Sequence, residues 1–189
     1  MKTREQIDVI QAVVLYILKH FKDGVDYIKL FKIMYFAQRT YLSTYGLCIV
    51  DDTFKARPKG PVPSLTYKVI KMVENGDDFS EFSDLVNFAS SLAVDKHQVV
   101  SAKQEPNMDC ISVMERKILD ETINRYRDVD SDALSDMSHD DIYDQVLDRM
   151  KDDPQKDVYT IIDIARSGKA SEEMIGYLRD KQLIKRALL

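Results

Sequence analysis

The sequence predicts a mainly α protein with a minor β component, a compact multi-helix globule that holds one small β-hairpin or sheet. Three observations support this fold class. Apolar residues recur at three- and four-residue spacing through most of the chain. Helix-capping sequences stand before several of these segments. Only residues 97–102 and 108–112 are predicted to pair as strands, and they form the two arms of a hairpin around Glu105-Pro106-Asn107.

The first predicted helix begins with a capping box. Thr3 and Gln6 have the required spacing, because a hydroxyl and an amide three residues apart can satisfy each other's backbone N–H groups. The apolar residues between Ile7 and Phe21 then share one face. We expect Gly24 to end this helix.

The second predicted helix is the expected centre of the fold. Asp26 can cap it, and residues Tyr27 to Thr44 are apolar on nearly all sides of a helix. Such a helix is normally buried by its neighbours. We expect Gly46 to stop it.

A proline-rich segment follows. Three prolines fall within residues 58–63, a density that excludes a helix or a paired central strand. We therefore expect a rigid extended connection, in which Gly60 permits a backbone geometry that the prolines hold. This loop would present Arg57 and Lys59 with little conformational entropy left to lose.

The rest of the chain is predicted as helices joined by short turns, with residues 151–157 as a turn or linker. The predicted helices are Ser64–Glu74, Asp84–Leu92, one opened by the capping box Ser112–Glu115, Ser131–Met137, Asp140–Met150, Val158–Arg166 and Ser171–Ala187.

Composition, cysteine usage and the start of the chain limit the class of protein. The chain has 189 residues, 44% hydrophobic and 31% charged, as expected for one packed domain. Cys48 and Cys110 are too few and too far apart for a disulfide framework, which indicates reduced thiols. The first residues lack a signal-peptide pattern and a membrane span. We therefore expect a cytoplasmic protein with no membrane partner.

The charge is unevenly distributed along the chain. Residues 1–75 hold 12 Lys and Arg against 7 Asp and Glu, whereas the remainder holds 15 against 25. Twelve of these acids are aspartates between Asp128 and Asp163. This stretch is either a solvated face or a surface that steers a basic partner.

The motifs that suggest metal or nucleotide chemistry are incomplete. Asp128 opens an apparent calcium loop, but Ala133 and His139 stand where that loop requires Gly and Glu. His139-Asp140 lacks the further histidines of a metal phosphohydrolase. Gly168-Lys169 lacks the remaining residues of a phosphate loop. We therefore expect no catalytic residues, no metal, no cofactor and no enzyme activity.

A DNA-binding protein is an alternative that the sequence leaves open. Basic residues cluster around the prolines, and a hairpin beside a helical core could act as a winged-helix-like reader of phage or mobile-element origin. The overall pI of about 5.3 and the acidic second half argue against a nucleic-acid partner.

Three sequence blocks resemble the Panacea domain family, the SocA-like antitoxins. They are KIMYFAQRTYLSTYG (32–46), FKARPKGPVPSLTY (54–67) and ALSDMSH (133–139). The residues that match the family pattern are Lys32, Tyr35, Phe36, Ala37, Gly46, Phe54, Ala56, Gly60, Pro61, Val62, Tyr67 and His139. The resemblance implies a Panacea-like domain over residues 1–153 and a helical extension, residues 154–189, packed on it.

The same resemblance implies an antitoxin that binds and neutralises a cognate protein toxin. Within the family pattern, Tyr35, Phe36, Gly46, Phe54, Ala56, Gly60, Pro61, Val62 and His139 are expected to be structural. The first candidate for the partner-binding surface is Arg57 and Lys59 with Tyr67, and the second is the aspartate-rich stretch. A protease adaptor, which delivers the toxin to a cytosolic protease, is the third functional alternative.

Overall fold

The computed structural model describes residues 2–187, which form nine α-helices and two small antiparallel sheets. The helices are α1 (Arg4–Leu18), α2 (Tyr27–Tyr45), α3 (Ser64–Asn75), α4 (Val86–Ser90), α5 (Val113–Tyr126), α6 (Ser131–Met137), α7 (Asp141–Asp152), α8 (Ile161–Ser167) and α9 (Glu172–Ala187). The strands are β1 (Val25–Asp26), β2 (Phe54–Arg57), β3 (Gly60–Pro63), β4 (Leu92–Val94) and β5 (Val99–Ala102). Three short 3-10 turns precede α4, α5 and α8. The predicted fold class is confirmed.

The predicted capping sequences form real caps. Thr3 with Gln6 and Ser112 with Glu115 both make reciprocal capping boxes. Gly46 ends α2 in the left-handed region with φ 65°. The expected end of the first helix is wrong, because α1 stops at Leu18 and Gly24 lies in the turn that leads to β1.

Helix α2 is the central element, as predicted. It packs against α1, α5, α6, α8 and β3. Eleven of its residues are buried, and one of them is a lysine, Lys32. Burial of this helix on several sides follows from its nearly continuous apolar sequence.

The predicted hairpin over residues 97–112 is wrong. Its first arm does form β5, but β5 lies between β1 and β4 in the three-stranded sheet. The second arm is a 3-10 turn, Met108–Cys110. Strand β4 lies at the end of the segment predicted as the helix Asp84–Leu92, of which only α4 is α-helical.

The proline-rich segment forms a hairpin rather than an extended connection. Strands β2 and β3 pair antiparallel, with Ala56 opposite Pro61 and Phe54 opposite Pro63. Ala56 and Phe54 make their other backbone bonds to residues 157 and 159, through Ala56 N to Asp157 O at 2.7 Å and Tyr159 N to Phe54 O at 2.9 Å. The prolines therefore occupy positions on β3 where the opposite residues of β2 do not need an N–H donor.

The contacts of residues 157–159 with β2 also explain why α8 begins at Ile161 and not, as predicted, at Val158. Val158 forms an isolated β-bridge with Lys55. Helix α8 then packs on α2, and the Tyr35 hydroxyl donates to Ser167 Oγ at 2.9 Å. The division of the chain at residue 153 remains a prediction, but residues 157–167 contact both α2 and the hairpin.

Candidate partner-binding site

The tip of the β2–β3 hairpin, residues 57–61, is called the proline corner here. Gly60 lies at its inner side with φ 90°, a backbone conformation that residues with a Cβ rarely adopt. A Cβ at Gly60 would overlap the Ser138 hydroxyl and approach Lys32 Nζ to 2.7 Å. Only glycine allows the proline corner to lie this close to α2 and to the turn before α7.

Lys32 is the buried basic residue that contacts the inner side of the proline corner. Its exposed fraction is 1%, and Nζ donates to Pro61 O at 3.0 Å. Desolvation lowers the pKa of the Lys32 amine from 10.5 to about 7. A lysine flanked by apolar residues in a helix predicted to be buried was the sequence signal for this role, although Lys32 was not among the predicted site residues.

His139 and Ser138 bring the third sequence block to the same place. The exposed His139 ring lies on that of Tyr143 with centroids 4.2 Å apart and planes 17° apart. Tyr143 in turn donates from its hydroxyl to Arg57 O at 3.0 Å. Desolvation, followed by the nearby charge of Lys32, lowers the pKa of His139. All three resemblance blocks therefore meet at the proline corner.

The other predicted structural residues lie around this meeting point. Tyr35 packs against Phe54 with ring centroids 5.5 Å apart, and Phe36 packs against Tyr126 at 4.8 Å. Ala56 is buried on β2. Pro61 is buried, Val62 is half-buried, and Gly46 lies apart from the hairpin, next to Tyr177.

Arg57 is exposed but already has partners within the chain. Its guanidinium Nη1 donates to Asp157 Oδ2 at 2.8 Å, and Lys55 Nζ contacts the same carboxylate at 3.2 Å. Burial alone would raise the pKa of Asp157, but the hydrogen bonds from Arg57 and Lys55 bring that pKa below its usual value. Arg57 therefore ties the proline corner to residues 157–159.

Lys59 and Tyr67 are also accessible to a partner. Lys59 forms an exposed ion pair with Asp132 at 2.7 Å, and pairs of this kind exchange readily. Tyr67 is 40% exposed and meets Tyr27 and Phe31 edge-on, with ring centroids 6.3 and 6.0 Å away. The structure thus brings the predicted trio together on one surface.

That surface encloses a cavity of about 320 Å³ between α2, α3 and the hairpin tip, called the corner pocket here. Its lining residues are Tyr27, Ile28, Phe31, Lys32, Arg57, Pro58, Lys59, Val62 and Tyr67. The lining combines an aromatic wall with three cations and contains no acid. Such a site suits a partner group that is both apolar and negatively charged.

The aspartate-rich stretch, the second predicted surface, serves in large part to build local structure. Asp130 and Asp140 cap α6 and α7, and Asp153 caps the turn before α8. Asp163 forms a bidentate pair with Arg149 at 2.7 and 3.1 Å. The aspartates on α7 that face solvent remain a candidate surface.

The basic cluster around the prolines does not form an open phosphate-binding surface. Lys55 and Arg57 are bonded to Asp157, and Lys71 is paired with Glu74. Lys68 Nζ lies 3.4 Å from the centre of the Phe82 ring. The hairpin predicted at residues 97–112, which the DNA-binding alternative used as its wing, does not form in the described chain, where β5 pairs with β1 and β4 instead.

Among residues 2–187, no group of three or more His, Cys, Asp or Glu side chains is arranged to hold a metal ion. In the same part of the chain, no helix has the length and apolar character needed to cross a membrane. The model of the family described as "Antitoxin SocA-like, Panacea domain" matches residues 30–142. No curated protein and no solved structure matches the chain.

Proposed function

Because the chain belongs to the Panacea-domain family of SocA-like antitoxins, we propose that it is a non-catalytic antitoxin that binds a cognate protein toxin and neutralises it. The observation that carries this proposal is the family match over residues 30–142. That segment contains most of α2, the β2–β3 hairpin and the turn before α7, which are the elements that build the proline corner.

The proposed binding surface is the corner pocket with its rim. Aromatic anchors in a preformed hollow are typical of residues that dominate the energy of protein interfaces. Tyr67 provides such an anchor, and Lys59 supplies a charge that can steer an acidic surface of the toxin. We expect the whole interface to bury about 1,200–2,000 Å².

The stiffness of the proline corner supports this choice of surface. Its backbone is held by the Lys32 and Tyr143 contacts, and its Arg57 side chain by Asp157, before any partner arrives. A partner that binds a preorganised loop does not have to order it, which leaves more of the contact energy for affinity.

Co-expression with the neighbouring reading frame tests the proposal. We expect that product to arrest growth alone, and this chain to restore growth and co-purify with it. Absence of arrest, or arrest that this chain does not relieve, would contradict an antitoxin role.

Matched variants then test the surface. Tyr67→Ala and Lys59→Ser should each weaken toxin binding at least tenfold, since each removes an anchor or a steering charge. Tyr177→Ala and Lys151→Ser are the controls, because Tyr177 is similarly exposed on α9 and Lys151 forms a similar exposed pair with Asp148. Equal losses in the controls would place the interface elsewhere.

Toxin abundance distinguishes masking from delivery to a protease. If the chain only masks its partner, the toxin persists in growing cells at an unchanged level. If the chain is an adaptor, the toxin disappears when the chain is present and reappears in protease-deficient cells.

A further inference from the structure

The corner pocket has the size of a site for one residue. Its cavity of about 320 Å³ lies at the lower end of the range of roughly 300–1,000 Å³ that is usual for ligand pockets. A helix or a strand of a partner is too large to enter it. One large side chain with its backbone fits.

The pocket walls divide into an apolar and a cationic part. Tyr27 and Phe31 stack on each other, and both meet the ring of Tyr67 edge-on, so the three rings form a continuous group. Lys32 and Lys59 contribute basic side chains to a lining that contains no Asp or Glu, and Lys59 also forms its exposed ion pair with Asp132. An occupant complementary to both parts must carry an apolar group and a negative charge within one residue's reach.

The unused hydrogen-bond donors of Lys32 indicate which negatively charged group the pocket would bind. Within residues 2–187 its amine has a single hydrogen-bond partner, Pro61 O at 3.0 Å, although an ammonium group has three donors. A buried charge is stable when it is paired and fully hydrogen-bonded. A carboxylate is the partner that would satisfy the remaining donors.

We propose that the corner pocket receives the C-terminal residue of the partner polypeptide, with its apolar side chain on the aromatic wall and its terminal carboxylate held by Lys32 and Lys59. This inference rests on the proposed function, because the partner is the toxin. An internal Asp or Glu brings a carboxylate but leaves the aromatic wall uncovered. A C-terminal residue carries both groups on one carbon atom, which matches the two parts of the pocket.

Peptide titrations of the full chain, followed by ¹H–¹⁵N NMR, test the proposal without a toxin. The probe is acetyl-Gly-Gly-Phe with a free carboxylate, and the controls are its C-terminal amide, acetyl-Gly-Gly-Gly, and the internal-acid peptide acetyl-Gly-Glu-Phe-Gly-amide. The free-acid Phe peptide should shift the resonances of Val62 and Tyr67 and bind at least tenfold more tightly than each control. Equal binding by the amide or by the internal-acid peptide would overturn the proposal.

Two variants locate the peptide on the pocket. Lys32→Met should lower the affinity for the free-acid Phe peptide at least tenfold and leave the weak binding of the amide peptide unchanged. Tyr67→Ala, at a partly exposed position, should weaken both, and it keeps the test decisive if Lys32→Met does not fold. Lys22→Met, outside the pocket, should bind like the unaltered chain. Unchanged affinity in Tyr67→Ala, or in a folded Lys32→Met, refutes the assignment.

A modified toxin separates this inference from the proposed function. A toxin extended at its C-terminus by Gly-Ser-Gly-Ser should bind at least tenfold more weakly, since the new terminus is displaced from the pocket. If the extended toxin is still neutralised fully, the pocket assignment fails and the antitoxin role stands. If no neighbouring product is neutralised at all, the antitoxin role itself fails.

Discussion

Replacing Lys32 by Met tests how the protein tolerates a buried amine beneath the proline corner. Methionine keeps the length and apolar stem of lysine and removes the ionisable group. The pKa of Lys32 falls from 10.5 to about 7 in the folded chain because the amine is desolvated. That difference corresponds to a penalty of about 4 to 5 kcal/mol when the charged amine is buried, at about 1.4 kcal/mol for each tenfold change.

The sign of the pH dependence follows from proton counting. Between pH 7 and pH 10.5 the unfolded chain holds the Lys32 proton more often than the folded chain does. The stability of the unaltered protein therefore rises with pH in this window, and below pH 7 the contribution of Lys32 no longer changes with pH. The Met variant lacks this contribution at every pH.

We expect the stability of Lys32→Met relative to the unaltered chain to fall by about 2 kcal/mol between pH 7 and pH 9. The loss of the bond to Pro61 O shifts both values equally and cancels in this difference. His139, the titratable side chain beside Lys32, has a lowered pKa and stays neutral across the window.

Urea unfolding followed by far-UV circular dichroism at pH 7, 8 and 9 measures the effect. Lys22→Met, which removes an exposed lysine, corrects for the general loss of one positive charge. A relative stability that stays constant within about 0.5 kcal/mol would refute the argument, because a buried neutral amine requires a slope.

Three further changes probe the supports of the proline corner. Gly60→Ala should lower the free energy of unfolding in urea by more than about 3 kcal/mol, because left-handed strain adds to the overlap with Ser138. The control Gly76→Ala should lower it by only about 1–2 kcal/mol, since Gly76 has φ 70° and open space around it. Asp157→Asn should lower the free energy of unfolding by about 1.5–3 kcal/mol at pH 7. The difference from the unaltered chain should vanish as the pH falls through the lowered pKa of Asp157, because the carboxylate stabilises the fold only while it is ionised. Tyr143→Phe should cost about 1 kcal/mol in the same assay by removing the bond to Arg57 O, and an unchanged midpoint would show that water replaces it.

The helices could be predicted from the sequence because their signals are local. The capping boxes at Thr3 and Ser112 involve residues three positions apart, so the sequence contains both partners. A short helix was predicted near Ser131–Met137, and α6 has these bounds. Helix α2 was recognised as central because apolar residues cover nearly all of its surface.

The β2–β3 hairpin was not predicted, because the contacts that make its prolines acceptable are distant in sequence. Proline lacks an N–H donor, so a pair of prolines argues against a strand when the strand is considered alone. In the folded chain, Phe54 and Ala56 find their partners at residues 157–159, about a hundred positions later. The prolines opposite them are then tolerated, and no local pattern contains this information.

The candidate site was predicted in its outer parts and missed in its inner part. Arg57, Lys59 and Tyr67 were chosen because exposed cations and aromatics near a stiff turn suit a binding surface, and they do line one pocket. Lys32 was noted as a motif residue, yet its burial depends on how Gly60 and Ser138 close over it. Such closure is a property of tertiary packing.

The supports of the proline corner fall on both sides of the boundary of the matched segment. Lys32, Gly60 and Ser138, which fix its inner face, lie within residues 30–142. Tyr143 and Asp157, which bond Arg57 from outside, follow that segment. The inner contacts are therefore part of the family domain, whereas the later residues of this chain set how firmly the corner is held.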